Sequence, residues 1–185
     1  NVLNAALVMA LSGIGAETIS NILSRWKGIP HRLQYFHVWK QNNMRFHFYN
    51  DSCATVPEAA AAAVRSFKVP VILVAGGTDK GLGQNALSEA LSHDARKQVK
   101  ALYLLSGTAT DKLTELLRAG GIPFHGPYDS LGELLGALKA NECADDGKDA
   151  NEVVLFSPGA TSFGMFTNEF ERGSKFMEEV KRIFP

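Results

Sequence analysis

The stretch Val69-Pro70-Val71-Ile72-Leu73-Val74-Ala75-Gly76-Gly77-Thr78-Asp79-Lys80-Gly81-Leu82-Gly83 decides the fold. Val69–Ala75 carries no polar side chain, as a strand covered on both faces must. It stops at a glycine pair, where backbone can turn tightly and approach a ligand closely. Val99–Leu105 and Val153–Phe156 read as further strands. Residues 84–93, 110–119, Leu131–Leu138 and Phe170–Ile183 have helical spacing of apolar residues. Strands alternating with helices predict an α/β fold, a Rossmann-like, doubly wound and mostly parallel sheet with helices on both faces. Upstream, Leu33, Tyr35 and His37 alternate with Gln34, Phe36 and Val38 as far as Trp39. Asn42-Asn43 is a turn signal and Met44–Tyr49 returns, so this arm reads as an N-terminal β-hairpin.

Residues 3–12 and 16–26 read as two helices, punctuated by Gly13 and Gly15 and closed by Lys27-Gly28-Ile29-Pro30. The chain lacks an initial Met and opens inside this helical pattern, which is expected of a piece cut from a longer protein. Residues 1–30 are therefore read as the helical remnant of a preceding domain. Residues 31–185 are read as a separate sheet domain, with the boundary near Pro30.

The chain has 185 residues, 45% apolar and 21% charged, enough for one domain with a real core. Nineteen basic residues balance nineteen acidic ones. That leaves no electrostatic footprint for nucleic acid or an anionic membrane, and neither is expected as a partner. No apolar run reaches the roughly 18 residues of a membrane helix, and no secretory signal is visible. Cys53 and Cys143 form neither a disulfide framework nor a zinc-spaced cluster, so no metal ligand is assigned. A cytoplasmic protein is expected.

In a doubly wound sheet, ligands sit beyond the carboxyl ends of the strands. The loop after Tyr49 is Asn50-Asp51-Ser52-Cys53-Ala54-Thr55-Val56-Pro57-Glu58. Thr55-x-x-Glu58 fits a capping box with Pro57 in the first helical turn. A capped turn and an anion-attracting helix start are both open there. After Ala75, Lys80 offers a cation to a carboxylate or phosphate. The Gly-x-x-x-x-Gly-Lys-[Ser/Thr] phosphate loop is absent from the chain, and an ordinary strand-to-helix connection fits equally. After Phe156 comes Ser157-Pro158-Gly159-Ala160-Thr161-Ser162-Phe163-Gly164, again small and hydroxylic. Three polar loops on one sheet edge point to a cleft. Elsewhere, His37 and His47 read as structural, and His93 and His125 have no partner nearby in sequence. Cys143 reads as an incidental thiol in the polar stretch 141–149. Glu171, Arg172, Lys175, Glu178, Glu179, Lys181 and Arg182 read as a solvated helix face with i,i+4 pairing.

Several segments, taken in order, resemble one family. They are Gly28-Ile29-Pro30-His31-Arg32-Leu33, Asn50-Asp51-Ser52 with Ala54-Thr55 and Pro57-Glu58-Ala59, and Val71–Gly77 with Asp79-Lys80-Gly81. Leu155-Phe156-Ser157-Pro158, Thr161-Ser162-Phe163 and Phe170-Glu171-Arg172-Gly173 complete the set. The chain is similar over essentially its whole length to the C-terminal part of a Mur ligase of the D-glutamate-adding kind. The resemblance implies that residues 1–30 end a central ATPase domain and that 31–185 form the amino-acid-binding domain. It implies ATP-driven amide synthesis: UDP-N-acetylmuramoyl-L-alanine is activated as an acyl phosphate and attacked by D-glutamate, with ATP and Mg2+ required and the Mg2+ held mainly by the absent part. A monomer in peptidoglycan precursor synthesis is implied. By motif, Asn4, His31, Arg32 and Asp51 resemble nucleotide-binding residues, and Thr55, Lys80, Ser162 and Phe163 resemble residues that hold D-glutamate. No catalytic residue is assigned. Cys53 stands where lysine is common, Gly164 where aspartate is frequent, and the aromatic Phe170 falls one position late. Two other readings are another Mur or folylpolyglutamate-type ligase, and a non-catalytic module binding a nucleotide or small acid.

Overall fold

A computed structural model describes residues 2–92, 98–143 and 150–185. His93 and most of the stretch 141–149 lie outside the described residues. The element order is α1 (Val2–Leu11), α2 (Ala16–Arg25), β1 (Gln34–Gln41), β2 (Met44–Asn50), α3 (Pro57–Ser66), β3 (Val71–Gly76) and α4 (Asn85–Ala90). It continues with β4 (Val99–Leu105), α5 (Thr108–Ala119), β5 (His125–Tyr128), α6 (Leu131–Glu142), β6 (Ala150–Phe156) and α7 (Glu169–Ile183). One sheet has the order β1-β2-β6-β3-β4-β5. Only β1 and β2 pair antiparallel; β2–β6, β6–β3, β3–β4 and β4–β5 are parallel.

The apolar runs behave as a doubly covered sheet requires. Ile72 and Val74 of β3, Tyr103 and Leu105 of β4, and Val154 and Phe156 of β6 face one side, against α6 and α7. Val71, Leu73, Ala75, Leu102, Leu104, Val153 and Leu155 face the other, against α3, α4 and α5. Each alternate residue thus meets a different helix layer, which is why these positions are apolar apart from the Tyr103 hydroxyl, which donates to Glu142 at 3.0 Å. Leu131, Leu134, Leu135 and Leu138 bury the i, i+3, i+4, i+7 stripe of α6. Phe176 of α7 stacks on Phe156 with ring centroids 4.3 Å apart. In α3 the alanines Ala60, Ala61 and Ala63 let the helix lie close on the sheet.

Three expectations need correction. The strand β5 lies in the sheet although His125-Gly126-Pro127-Tyr128 has no apolar run; it is an exposed edge that pairs only with β4. Thr55 does not cap α3: the N-cap is Val56, with no side-chain bond to the helix. Arg172 is not on a solvated face but is 1% exposed. The pairs found on α7 are Lys175–Glu178 and Arg182–Glu179, at i,i+3 spacing rather than i,i+4.

His37 and His47 hold structure, as read: His37 Nε2 lies 2.7 Å from the Phe184 carbonyl, and His47 bridges Tyr35 and Asn151. His125 finds a partner by stacking on Tyr103 at 4.5 Å. Both cysteines are free. Among the described residues no helix is long and apolar enough to cross a membrane. The helix α1 buries no residue, and Leu3, Leu7, Val8 and Leu11 on it are exposed.

Candidate functional site

The parallel strands β2, β3, β4 and β6 all point the same way, so their four C-terminal loops share one edge. Backbone hydrogen bonds knit these loops together. Asp51 N–H donates to Phe156 O at 2.8 Å, Gly76 N–H to Pro158 O at 2.8 Å, and Gly159 N–H to Ala54 O at 2.9 Å. Thr78 and Thr161 form a two-way bridge, N–H to carbonyl at 3.2 and 2.9 Å. The Thr78 hydroxyl donates to the Phe163 carbonyl. A side chain on Gly77 would meet the Thr161 carbonyl at 2.7 Å, so only glycine lets the two loops approach this closely.

Across this edge the structure joins residues 25 apart in sequence: Lys80 Nζ lies 3.3 Å from Thr55 Oγ1. The Lys80 loop is braced from behind. Asp79 accepts from Leu82 N–H at 3.1 Å and from the Lys112 ammonium, and its own N–H donates to Thr108 Oγ1 at 3.0 Å. The Lys112 bond holds the Asp79 carboxyl below its ordinary pKa, with the Leu82 amide helping. Asp79 is thus occupied by Lys112, while Lys80 reaches across to Thr55.

Ser162 is 5% exposed and Phe163 is 61% exposed beside it. Among the described residues, the Ser162 and Phe163 amides donate to no acceptor. A shallow cleft is lined by Gly77, Thr78, Thr161, Ser162, Phe163 and Arg172. It offers hydroxyls and open N–H groups, with the Lys80–Thr55 pair elsewhere on the same sheet edge, which suits a carboxylate ligand.

The four nucleotide candidates divide. His31 sits in a left-handed conformation with φ 58°, and its ring is held by Asn50 at 2.9 Å and edge-on to Phe170. Burial lowers its pKa. Asp51 is 5% exposed and accepts from Ser157 Oγ at 2.7 Å and Leu33 N–H at 3.0 Å. Burial raises its pKa despite those two bonds and the nearby Arg32. Asp51 therefore latches the segment before β1 to the end of β6. Arg32 is exposed and lines an open groove with Leu33, Asp51 and Cys53. Asn4 is exposed on α1, and among the described residues no hydrogen bond or ion pair joins it to the other three. Burial raises the Cys53 thiol pKa, with Arg32 opposing weakly, so the thiol is held in its unreactive form. Among the described residues no three His, Cys, Asp or Glu side chains gather to hold a metal.

Arg172 is the residue that the charge-pattern reading placed wrongly, on a solvated helix face. Its Nε donates to Ser52 Oγ at 3.0 Å, one terminal nitrogen to Ala160 O at 2.9 Å, and the other to Ser52 O at 2.8 Å. It pins the loop after β2 to the loop after β6. A signal existed in the sequence: Arg172, Phe176 and Val180 share one i, i+4, i+8 stripe, and the last two are plainly core residues.

No model of a protein family matches the chain. Curated relatives do. A UDP-N-acetylmuramoylalanine–D-glutamate ligase of Treponema pallidum is 42% identical over 166 residues, 90% of this chain and 28% of the relative. One from Roseiflexus sp. is 36% identical over 183 residues, 98% of this chain and 36% of the relative. The chain thus spans about a third of the length of the relatives it matches. Among solved structures, UDP-N-acetylmuramate–alanine ligase of Thermotoga maritima superposes with a TM-score of 0.62 at 12% identity, covering 98% of this chain and 37% of that one. A UDP-N-acetylmuramoylalanyl-D-glutamyl-2,6-diaminopimelate–D-alanyl-D-alanyl ligase of Acinetobacter baumannii gives 0.55 at 15% identity, covering 95% and 34%. At those identities the structures speak for the shared fold, and the sequence relatives speak for the lineage. The chain belongs to the Mur ligases, as a segment homologous to part of the UDP-N-acetylmuramoylalanine–D-glutamate ligases.

Proposed function

We propose that this chain is the amino-acid-binding part of an ATP-dependent amide ligase that joins D-glutamate to UDP-N-acetylmuramoyl-L-alanine in the cytoplasm. The observation that carries the reading is the meeting of Lys80 and Thr55 at 3.3 Å, on the same edge as the open amides of Ser162 and Phe163. A dicarboxylate needs a fixed cation and several donors at once, and this edge supplies them. Residues 31–185 form the binding domain. Residues 1–30 end the ATPase domain before it, which fits an α1 that leaves Leu3 83% exposed.

ATP, with Mg2+, supplies the activation of the acceptor carboxylate. The residues present fit a nucleotide in part: Arg32 is exposed and free to reach a phosphate, while Asp51 is already committed to Leu33 and Ser157. We assign Arg32 the phosphates, His31 and Asp51 the shaping of the groove wall, and Asn4 the adenine side. The chain's own work is to hold D-glutamate with its amine toward the activated carboxyl. Such positioning supplies much of the rate when a short-lived electrophile must be met.

The full-length protein carrying this chain should release phosphate from ATP only when UDP-N-acetylmuramoyl-L-alanine and D-glutamate are both present. Release that ignores D-glutamate would sink the reading. The 185-residue chain alone should melt in one cooperative transition and turn over no ATP.

Cys53 plays no part in this chemistry, because ATP itself activates the carboxylate. Cys53→Ala in the full-length protein should keep kcat within about tenfold, roughly 1.4 kcal/mol of barrier. A thousandfold loss without unfolding, read by steady-state kinetics and melting together, would place the thiol in the reaction.

A further inference from the structure

We propose that Arg172 is a positioning residue whose missing counter-charge is the dicarboxylate substrate itself, so that the substrate meets two cations, Lys80 from the loop after β3 and Arg172 from beneath the loop after β6. The inference rests on the D-glutamate reading above. A guanidinium that is 1% exposed normally meets a carboxylate, because an unpaired buried charge is costly. Arg172 does not: its three hydrogen bonds go to a serine hydroxyl and two backbone carbonyls, all neutral. Among the described residues no carboxylate lies within ion-pair distance of it, and Glu169 acts only from farther away. Burial lowers its pKa to about 10, which still leaves it charged at neutral pH.

The placement gives this charge a use. Arg172 lines the cleft with Thr161, Ser162 and Phe163, the loop whose amides stand open. Gly77 lies over the guanidinium, where a Cβ would stand 3.7 Å from its terminal nitrogen. The Arg172 bond to the Ala160 carbonyl ties the guanidinium to the loop just ahead of the Ser162 and Phe163 amides. Arg172 acts on the substrate through this loop and through its field, without touching it.

A merely structural pin and a charge at work respond differently to substitution. In the full-length protein, Arg172→Met removes the charge, and Arg172→Lys keeps it while losing the fork of hydrogen bonds. Ser52→Asp and Ser52→Asn form a second pair: the first sets a carboxylate beside the guanidinium and cancels its charge in place, the second is its neutral isostere. The D-glutamate KM should rise roughly tenfold or more in Arg172→Met and Ser52→Asp, as loss of a unit charge a few ångströms from a carboxylate implies. It should stay within about threefold of wild type in Arg172→Lys and Ser52→Asn, and the ATP KM should move little in all four. Equal D-glutamate KM changes within each pair, or none at all, overturn the proposal. If Arg172→Met fails to fold, the serine pair decides. A wild-type protein with no D-glutamate-dependent turnover overturns the substrate reading instead, and is seen before any variant is made.

Discussion

Lys80→Ala in the full-length protein is expected to lower kcat/KM for D-glutamate by about 30- to 1,000-fold, equivalent to about 2–4 kcal/mol, with the ATP KM nearly unchanged. The expectation follows from how the side chain is presented. Asp79, its neighbour, is taken up by Lys112 and by the Leu82 amide, so the acid next door does not neutralise Lys80. Thr55 fixes the ammonium from the opposite loop. When substrate and the rest of the protein cover the cleft, this charge-assisted contact is desolvated, and deleting it leaves a carboxylate without its partner. Steady-state kinetics with each substrate varied in turn checks this. A collapse of ATP use with D-glutamate KM unchanged would hand Lys80 to the nucleotide.

The second large effect concerns the fold under the site. Gly107, which opens the turn from β4 into α5, has φ +147° and lies against the backbone of Gly77. A Cβ there would strike the Gly77 carbonyl and stand 3.0 Å from its Cα. That carbonyl accepts from Ala109 N–H at 3.0 Å, the bond that seats the first turn of α5. Backbone cannot yield as a flexible side chain can. Gly107→Ala should therefore cost about 3 kcal/mol or more, seen as a fall in melting temperature of about 6–12 °C. Gly136→Ala is the matched control, since a Cβ there meets nothing within 4 Å on α6. It should leave stability unchanged or raise it by up to about 1 kcal/mol. Equal losses in the two variants would mean that the close approach of the two glycines carries no energetic weight.

The layers of the fold were legible because a parallel sheet writes itself plainly: Val71–Ala75 and Val153–Phe156 have no polar position to conceal. The edge strand β5 was not, because His125–Tyr128 is exposed and owes its extended form to β4 rather than to its own residues. At the site, Thr55 was named by motif, and the cap also read for it proved wrong. Threonine near a helix start suggests a cap, and only the folded chain shows its hydroxyl turned across the edge to Lys80. Charge alone misled at Arg172, where a basic residue among seven other charged ones on the same helix hides that it shares the stripe of Phe176 and Val180. Asp51 was read by motif as a nucleotide-binding residue; its two bonds to Leu33 and Ser157 are long-range and invisible before folding.

The insertion of β6 between β2 and β3 has a consequence for synthesis on the ribosome. Val153 pairs with His47 on one side and with Val71 on the other, so the middle of the sheet is closed by residues about a hundred positions downstream. Until that segment emerges, β2 and β3 each expose a bare flank of unpaired N–H and C=O groups, a template for pairing with another nascent chain. Such distant pairings also slow folding, because the intervening loop must close before any contact rewards it. A chain cut short before Ala150 would keep its glycine turns and Lys80, yet lack the strand that sets them side by side.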